Sequence, residues 1–106
     1  MEVEVVYFDG CPNWHTARDR LNEALAAMGR ADIAVRLRQV ETVDDAEATA
    51  FTGSPTVLID GVDPFAEPGA VVGLSCRLYR TPDGADGSPT VAQLVAALRQ
   101  AGAIPN

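Results

Sequence analysis

Positive charge is scarce in this chain. It contains no lysine, and its eight arginines are scattered among 106 residues that include fifteen acidic side chains. The net charge of −7 disfavours nucleic-acid binding, because phosphate contacts require a basic patch or stripe. We therefore expect no nucleic-acid partner.

Long apolar runs and cysteines are scarce as well. No run approaches the roughly 18 apolar residues of a membrane span, so no membrane partner is expected. The first residues show no positive region followed by an apolar one, which disfavours a secretory signal. Two cysteines are too few to staple a secreted scaffold. These features predict a cytoplasmic protein whose thiols are kept mostly reduced.

Apolar residues make up 47% of the chain, enough for one folded domain over residues 1–106. Their spacing predicts strands at 3–8, 33–40, 56–59 and 74–80, and helices at 12–28, 42–51 and 89–102. The first helix carries an apolar stripe at three- and four-residue spacing, Thr42 and Asp45 are spaced as in a capping box, Ser88 is expected to cap the third helix, and residues 81–87 are rich in turn formers. The order β-α-β-α-β-β-α indicates an α/β fold with a four-stranded mixed sheet flanked by helices. Residues 61–73 form a long loop between the third and fourth strands.

A candidate reactive cysteine follows the end of the first strand. Cys11 follows Gly10 at once, and Pro12 suits the first position of a helix. Cys11 is thereby predicted at or beside the helix N-cap, where unpaired N–H groups and the helix dipole favour a thiolate. The alternative is that Cys11 is a small buried apolar residue.

A second stretch lies at the start of the third strand. Pro55 follows Ser54 and precedes the apolar run of residues 56–59. Because proline cannot donate a hydrogen bond to a neighbouring strand, a proline near a buried strand is expected at its first residue or in a special turn. We predict a cis bond between Ser54 and Pro55.

Together these residues resemble the thioredoxin/glutaredoxin superfamily. The resemblance rests on Cys11-Pro12 after an apolar strand and on Ser54-Pro55-Thr56 farther along the same element order. It implies a thioredoxin-like fold in which Pro55 is the cis-proline beside Cys11. It also implies that the backbone of Ser54 pairs with the chain of a bound substrate.

The active-site motif departs from that family at one position. Thioredoxins carry Cys-x-x-Cys, whereas Trp14 stands here in the place of the second cysteine. Cys11 is therefore predicted to act as a monothiol nucleophile in thiol–disulfide exchange or redox homeostasis. Its partner would be a protein or a low-molecular-weight thiol or disulfide, and no cofactor or metal is expected.

Neighbouring residues receive roles in this hypothesis. Asn13 would stabilise the Cys11 thiolate, and His15 would stabilise it or shuttle a proton, unless His15 is merely exposed. Asp9 would either oppose a low thiol pKa or act as a base. Trp14 is expected in the core or in a pocket wall. The predicted substrate-binding residues are Pro12, Trp14, Ser54 and Pro55.

Cys76 is the possible second thiol. Alternation with Leu74 and Leu78 predicts a buried structural cysteine inside the fourth strand. In the thioredoxin arrangement that strand would place Cys76 about 10 Å from Cys11. Resolution by Cys76 would then demand movement, because a disulfide needs Cα atoms within about 7 Å.

Two other functions compete with exchange. One is a redox-inactive binding module that uses the groove between Cys11 and Pro55 together with the acidic loop 61–73. The other is mercury or organomercurial handling, because two thiolates from Cys11 and Cys76 are soft ligands for Hg(II). The stretch Tyr7 to Trp14 resembles small bacterial thioredoxin-like proteins, some labelled alkylmercury lyase. True lyases, however, need an aspartate where Trp14 stands. The oligomeric state stays open.

Overall fold

The computed structural model describes residues 1–49 and 51–103. Over this part of the chain three helices and five strands form a mixed α/β structure. In order they are β1 (Val3–Tyr7), α1 (Trp14–Ala27), β2 (Val35–Gln39), α2 (Val43–Thr49), β3 (Thr56–Ile59), β4 (Tyr79–Thr81), β5 (Gly84–Asp86) and α3 (Val91–Gln100). Within the described ranges, no helix is long and apolar enough to cross a membrane.

The main sheet has three strands with β1 in the centre. β1 runs parallel to β2 and antiparallel to β3, and Val5 lies opposite Leu37 on one side and Val57 on the other. Val3, Val5 and Val6 are buried, as their apolar character on both faces predicts for a central strand. The sheet therefore places the end of β1, which Cys11 follows, beside the beginning of β3, which Ser54 and Pro55 precede.

Each face of this sheet has its own core. Helices α1 and α3 cover one face through Leu21, Leu25, Leu94 and Leu98, and each fully buried leucine contributes about 2 kcal/mol by removing apolar surface from water. The other face carries a smaller cluster around Phe51 that includes residues next to α2. The apolar stripe predicted for α1 is confirmed.

The predicted fourth strand of the main sheet is wrong. β4 begins only at Tyr79 and pairs with β5, which lies in the stretch predicted as a turn, to form a separate two-stranded sheet. Leu78, predicted to be buried, is 68% exposed. At the end of the 61–73 loop, the N–H of Gly73 donates to the carbonyl of Phe51 (3.1 Å). The chain then pairs with Ser54, which lies just before β3 in sequence, and not with β3 itself. The main sheet is therefore smaller than predicted.

The helix starts agree in part with the sequence. Thr42 and Asp45 form the predicted reciprocal cap of α2, since the Asp45 N–H donates to Thr42 Oγ1 (3.0 Å) and the Thr42 N–H to Asp45 Oδ2 (3.3 Å). Ala50, in the predicted end of this helix, lies outside the described residues. α3 is capped by Thr90 with a capping box to Gln93 rather than by the predicted Ser88.

Candidate functional site

The two cysteines form a disulfide. Cys11 and Cys76 are 65 residues apart in sequence, and their Cα atoms are 5.7 Å apart. The separation of about 10 Å expected from a four-stranded sheet is therefore wrong. Cys76 is not part of β4, because it lies on the extended stretch that runs past Ser54. Tertiary structure thus places the second thiol against the first.

Cys11 is the buried member of the pair, at 1% exposure. Its N–H donates to the carbonyl of Phe8 (3.0 Å), which turns the chain from β1 toward α1. The N-cap of α1 is Asn13, so Cys11 lies two residues before the cap rather than at it. Cys11 still lies shortly before the first turn of α1, where the dipole of the helix is positive.

Cys76 is the exposed member, which contradicts the prediction of a buried structural cysteine. It belongs to an extended segment, residues 75–77, that pairs in parallel with Ser54. The Ser54 N–H donates to the Ser75 carbonyl (2.7 Å), and the Arg77 N–H donates to the Ser54 carbonyl (2.9 Å). The alternating apolar and polar residues at 74–78 therefore reflect an extended segment paired with Ser54, and not a strand with one face buried in the main sheet.

Ser54 is buried, and the chain itself satisfies its polar groups. Besides its two backbone bonds to the 75–77 segment, its Oγ accepts from the Phe8 N–H (3.0 Å). The resemblance implied that the Ser54 backbone would pair with a substrate. In the structure, the 75–77 segment takes both backbone hydrogen bonds of Ser54 that a substrate chain would use.

Pro55 follows a cis peptide bond, as predicted. Its carbonyl accepts a hydrogen bond from the phenol of Tyr79, which is buried at the start of β4. Burial raises the pKa of Tyr79 above its ordinary value, because the phenolate would lose its hydration. Tyr79 thereby joins the small sheet to the residue that precedes β3.

Arg77 anchors the 75–77 segment from the other side. Its guanidinium donates to Asp63 Oδ2 (2.6 Å) and to the Phe65 carbonyl (2.6 Å), and it lies 4.5 Å from the centre of the Tyr79 ring. The Arg77 side chain is only 10% exposed. Asp63 and Phe65 belong to the 61–73 loop, so the beginning of that loop supports the site. Sequence reasoning missed Arg77, and its only signal was an arginine next to Cys76.

The remaining candidates gather at the start of α1. Trp14 is half-buried, and it stacks with the ring of Tyr7 (4.3 Å between centroids) and with that of the exposed His15 (3.7 Å). Asn13 packs against Gly87, where an added Cβ would lie 2.3 Å from the Asn13 Nδ2. Pro12 is exposed beside Cys11. Stacking on Trp14 accounts for the position of His15, and the catalytic roles of Asn13 and His15 stay predictions.

Within residues 1–49 and 51–103, no group of three or more histidine, cysteine, aspartate or glutamate side chains is arranged to hold a metal ion. The chemistry that the site offers is that of two adjacent sulfur atoms.

Comparisons of the chain with protein-family models, with curated proteins and with solved structures gave no significant match. The geometry around Cys11 and Cys76 is therefore the basis for a functional proposal.

Proposed function

We propose that the protein is a thioredoxin-like thiol protein that carries out thiol–disulfide exchange through Cys11 and Cys76. The observation that carries this proposal is the bond between a buried cysteine near a helix N-terminus and an exposed cysteine of the 75–77 segment. The parallel pairing of β1 with β2 and the antiparallel pairing of β1 with β3 support a thioredoxin-like arrangement, although the main sheet has one strand fewer than expected.

The proposed reaction uses both cysteines. Two partner thiols reduce the Cys11–Cys76 disulfide and leave as a disulfide, and the reverse reaction reduces a partner disulfide while the pair is oxidised. Because the two Cα atoms are 5.7 Å apart, Cys76 can serve as the second thiol without a large movement. The monothiol scheme is thereby extended to a two-cysteine cycle.

The surroundings favour exchange over a permanent crosslink. A Cys11 thiolate would lie near the N-terminus of α1, where the helix dipole favours negative charge. The exposure of Cys76 gives partners access to the bond. We infer a protein or small-molecule thiol partner in the cytoplasm, where glutathione and other thiols are abundant.

Redox equilibration of the native protein tests the proposal. The protein is incubated in glutathione buffers of graded ratio, and the fraction of free thiols is measured by alkylation and mass spectrometry. We expect reversible, complete reduction with a midpoint above about −300 mV, the value below which structural disulfides typically lie. The Cys76→Ser variant is the matched control, because its single thiol can bond only to glutathione and mass spectrometry should show no internal disulfide. A bond that is reduced only after the protein is unfolded would overturn the proposal.

Mercury binding is a second candidate that the same pairing favours. The reduced pair would present two adjacent thiolates, and thiolates select soft metals. Titration of the reduced protein with Hg(II) should then give one tightly bound ion per chain, and either cysteine-to-serine variant should bind far more weakly. Equal binding by the Cys76→Ser variant would rule out a two-thiolate site.

A further inference from the structure

Resting on the proposed exchange, we propose that Cys76 is the sulfur that an external thiol attacks and that Cys11 is the thiolate that leaves. The two cysteines differ in exposure, since Cys11 is 1% exposed and Cys76 is an exposed residue. The rate of disulfide exchange depends on which sulfur is attacked and on how accessible it is. The assignment reverses the roles that the sequence suggested, where Cys11 was the nucleophile toward the partner.

The direction of attack strengthens this difference. A thiolate displaces a disulfide sulfur in line, so it must approach from the side opposite the leaving sulfur. Only 1% of Cys11 is exposed, so an external thiol has almost no surface through which to approach its sulfur from any side. Cys76, by contrast, is an exposed residue of an extended segment. External thiols can therefore reach the bond at Cys76.

The quality of the leaving group points the same way. Exchange is faster when the departing thiol has a lower pKa. Cys11 lies two residues before the N-cap of α1, so that the helix dipole stabilises its thiolate as it forms. Cys76 lies on the extended 75–77 segment and does not itself begin a helix. Attack at Cys76 thus expels the better leaving group.

Bonds that do not depend on the disulfide keep Cys76 in place. Ser54 holds the backbone on both sides of Cys76, and Arg77 is fastened to Asp63 and to the Phe65 carbonyl. When the disulfide opens, the two thiols should stay close to each other. Arg77 is in this sense a positioning residue for Cys76.

The complete reaction balances as follows. A partner thiolate bonds to the Cys76 sulfur, the Cys11–Cys76 bond breaks, and its electron pair leaves on Cys11. A second partner thiolate then attacks the partner sulfur of the mixed disulfide, which releases a partner disulfide and the Cys76 thiolate. In the opposite direction the Cys76 thiolate attacks a partner disulfide, and Cys11 resolves the mixed disulfide.

Rapid quenching of the oxidised wild-type protein tests this assignment. Glutathione is added to the full chain, the reaction is stopped with acid at short times, and peptic peptides are mapped by mass spectrometry at low pH. We expect glutathione on the Cys76 peptide at least about tenfold more often than on the Cys11 peptide. In denaturant, where both cysteines are accessible, we expect comparable labelling of the two peptides.

The Cys11→Ala variant provides a second measurement. Its Cys76 should react with oxidised glutathione and retain the adduct, because the resolving thiol is missing. Glutathione mainly on Cys11 of the wild type would overturn the assignment and leave the proposed exchange intact. Failure of the native wild type to react at either cysteine, with normal labelling in denaturant, would overturn both proposals.

Discussion

Tyr79 shows how a single side chain connects the site to the rest of the molecule. Its phenol donates to the Pro55 carbonyl, and its ring contacts both the Arg77 guanidinium and the edge of Phe65. These contacts join the residue before β3, the 75–77 segment and the 61–73 loop. Because the phenol is buried, ionising it in the folded protein is unfavourable, which is why its pKa is raised.

The Tyr79→Phe substitution should be informative at two pH values. At neutral pH the lost hydrogen bond should lower the free energy of unfolding by about 1 kcal/mol. In the wild type, the raised pKa of Tyr79 also affects stability at high pH. Its contribution to the free energy of unfolding is fully present below the unfolded-state pKa of about 10. It is lost as the pH rises from there toward the higher pKa of the folded state, because the unfolded state releases the proton first. The variant has no such loss.

Denaturant titrations at about pH 7 and about pH 11 measure this effect. We expect the stability difference between wild type and Tyr79→Phe to shrink or change sign at the higher pH. An unchanged difference would show that burial of the phenol does not oppose its ionisation.

The 75–77 segment depends on a close approach of two backbones. A Cβ at Gly53 would lie 2.9 Å from the Cβ of Arg77, and Gly53 has a φ of +139°, which side chains rarely adopt. Only glycine at this position lets the chain on either side of Cys76 pair with Ser54. Gly61 also has a positive φ (+79°), but open space surrounds the position of its added Cβ.

This contrast supplies a matched pair of variants. Gly53→Ala should push the 75–77 segment away from Ser54. We expect closure of the Cys11–Cys76 disulfide to slow by about tenfold, which corresponds to an increase of about 1.4 kcal/mol in its activation free energy. Gly61→Ala shares the backbone strain and lacks the steric contact. Reoxidation of the reduced proteins, followed by alkylation, gives both rates. Equal slowing by the two substitutions would contradict a specific role for the close approach.

Over the whole molecule, the disulfide links the start of α1 to a segment 65 residues away. The two cores of the main sheet are formed by apolar residues, and neither cluster includes Cys11 or Cys76. Reduction should therefore leave a folded protein with a less restricted unfolded chain.

For a closed loop of this size, reduction should lower the free energy of unfolding by about 4 kcal/mol on the chain-entropy estimate. Denaturant titrations of the oxidised and reduced protein measure the difference, and circular dichroism checks that the reduced form stays folded. The Cys76→Ser variant should resemble the reduced protein under both conditions. Complete unfolding on reduction would contradict a role in reversible exchange.

Local patterns in the sequence determined much of this protein. The apolar run of β1, the stripe of α1, the Thr42–Asp45 cap and the Ser54–Pro55 cis bond all follow from residues that are neighbours in the chain. Such features were predictable because their physical causes operate over a few residues. The presence of Cys11 near the start of a helix belongs to the same group.

Tertiary structure alone decided where Cys76 lies. Alternation along residues 74–78 indicates an extended chain, but it does not specify which strand or loop pairs with that chain. The return of the 61–73 loop to Phe51, the anchor between Arg77 and Asp63 and the close approach at Gly53 select Ser54 as the partner. These contacts join residues far apart in sequence, and for that reason they place the second sulfur beside Cys11 where spacing in the sequence could not.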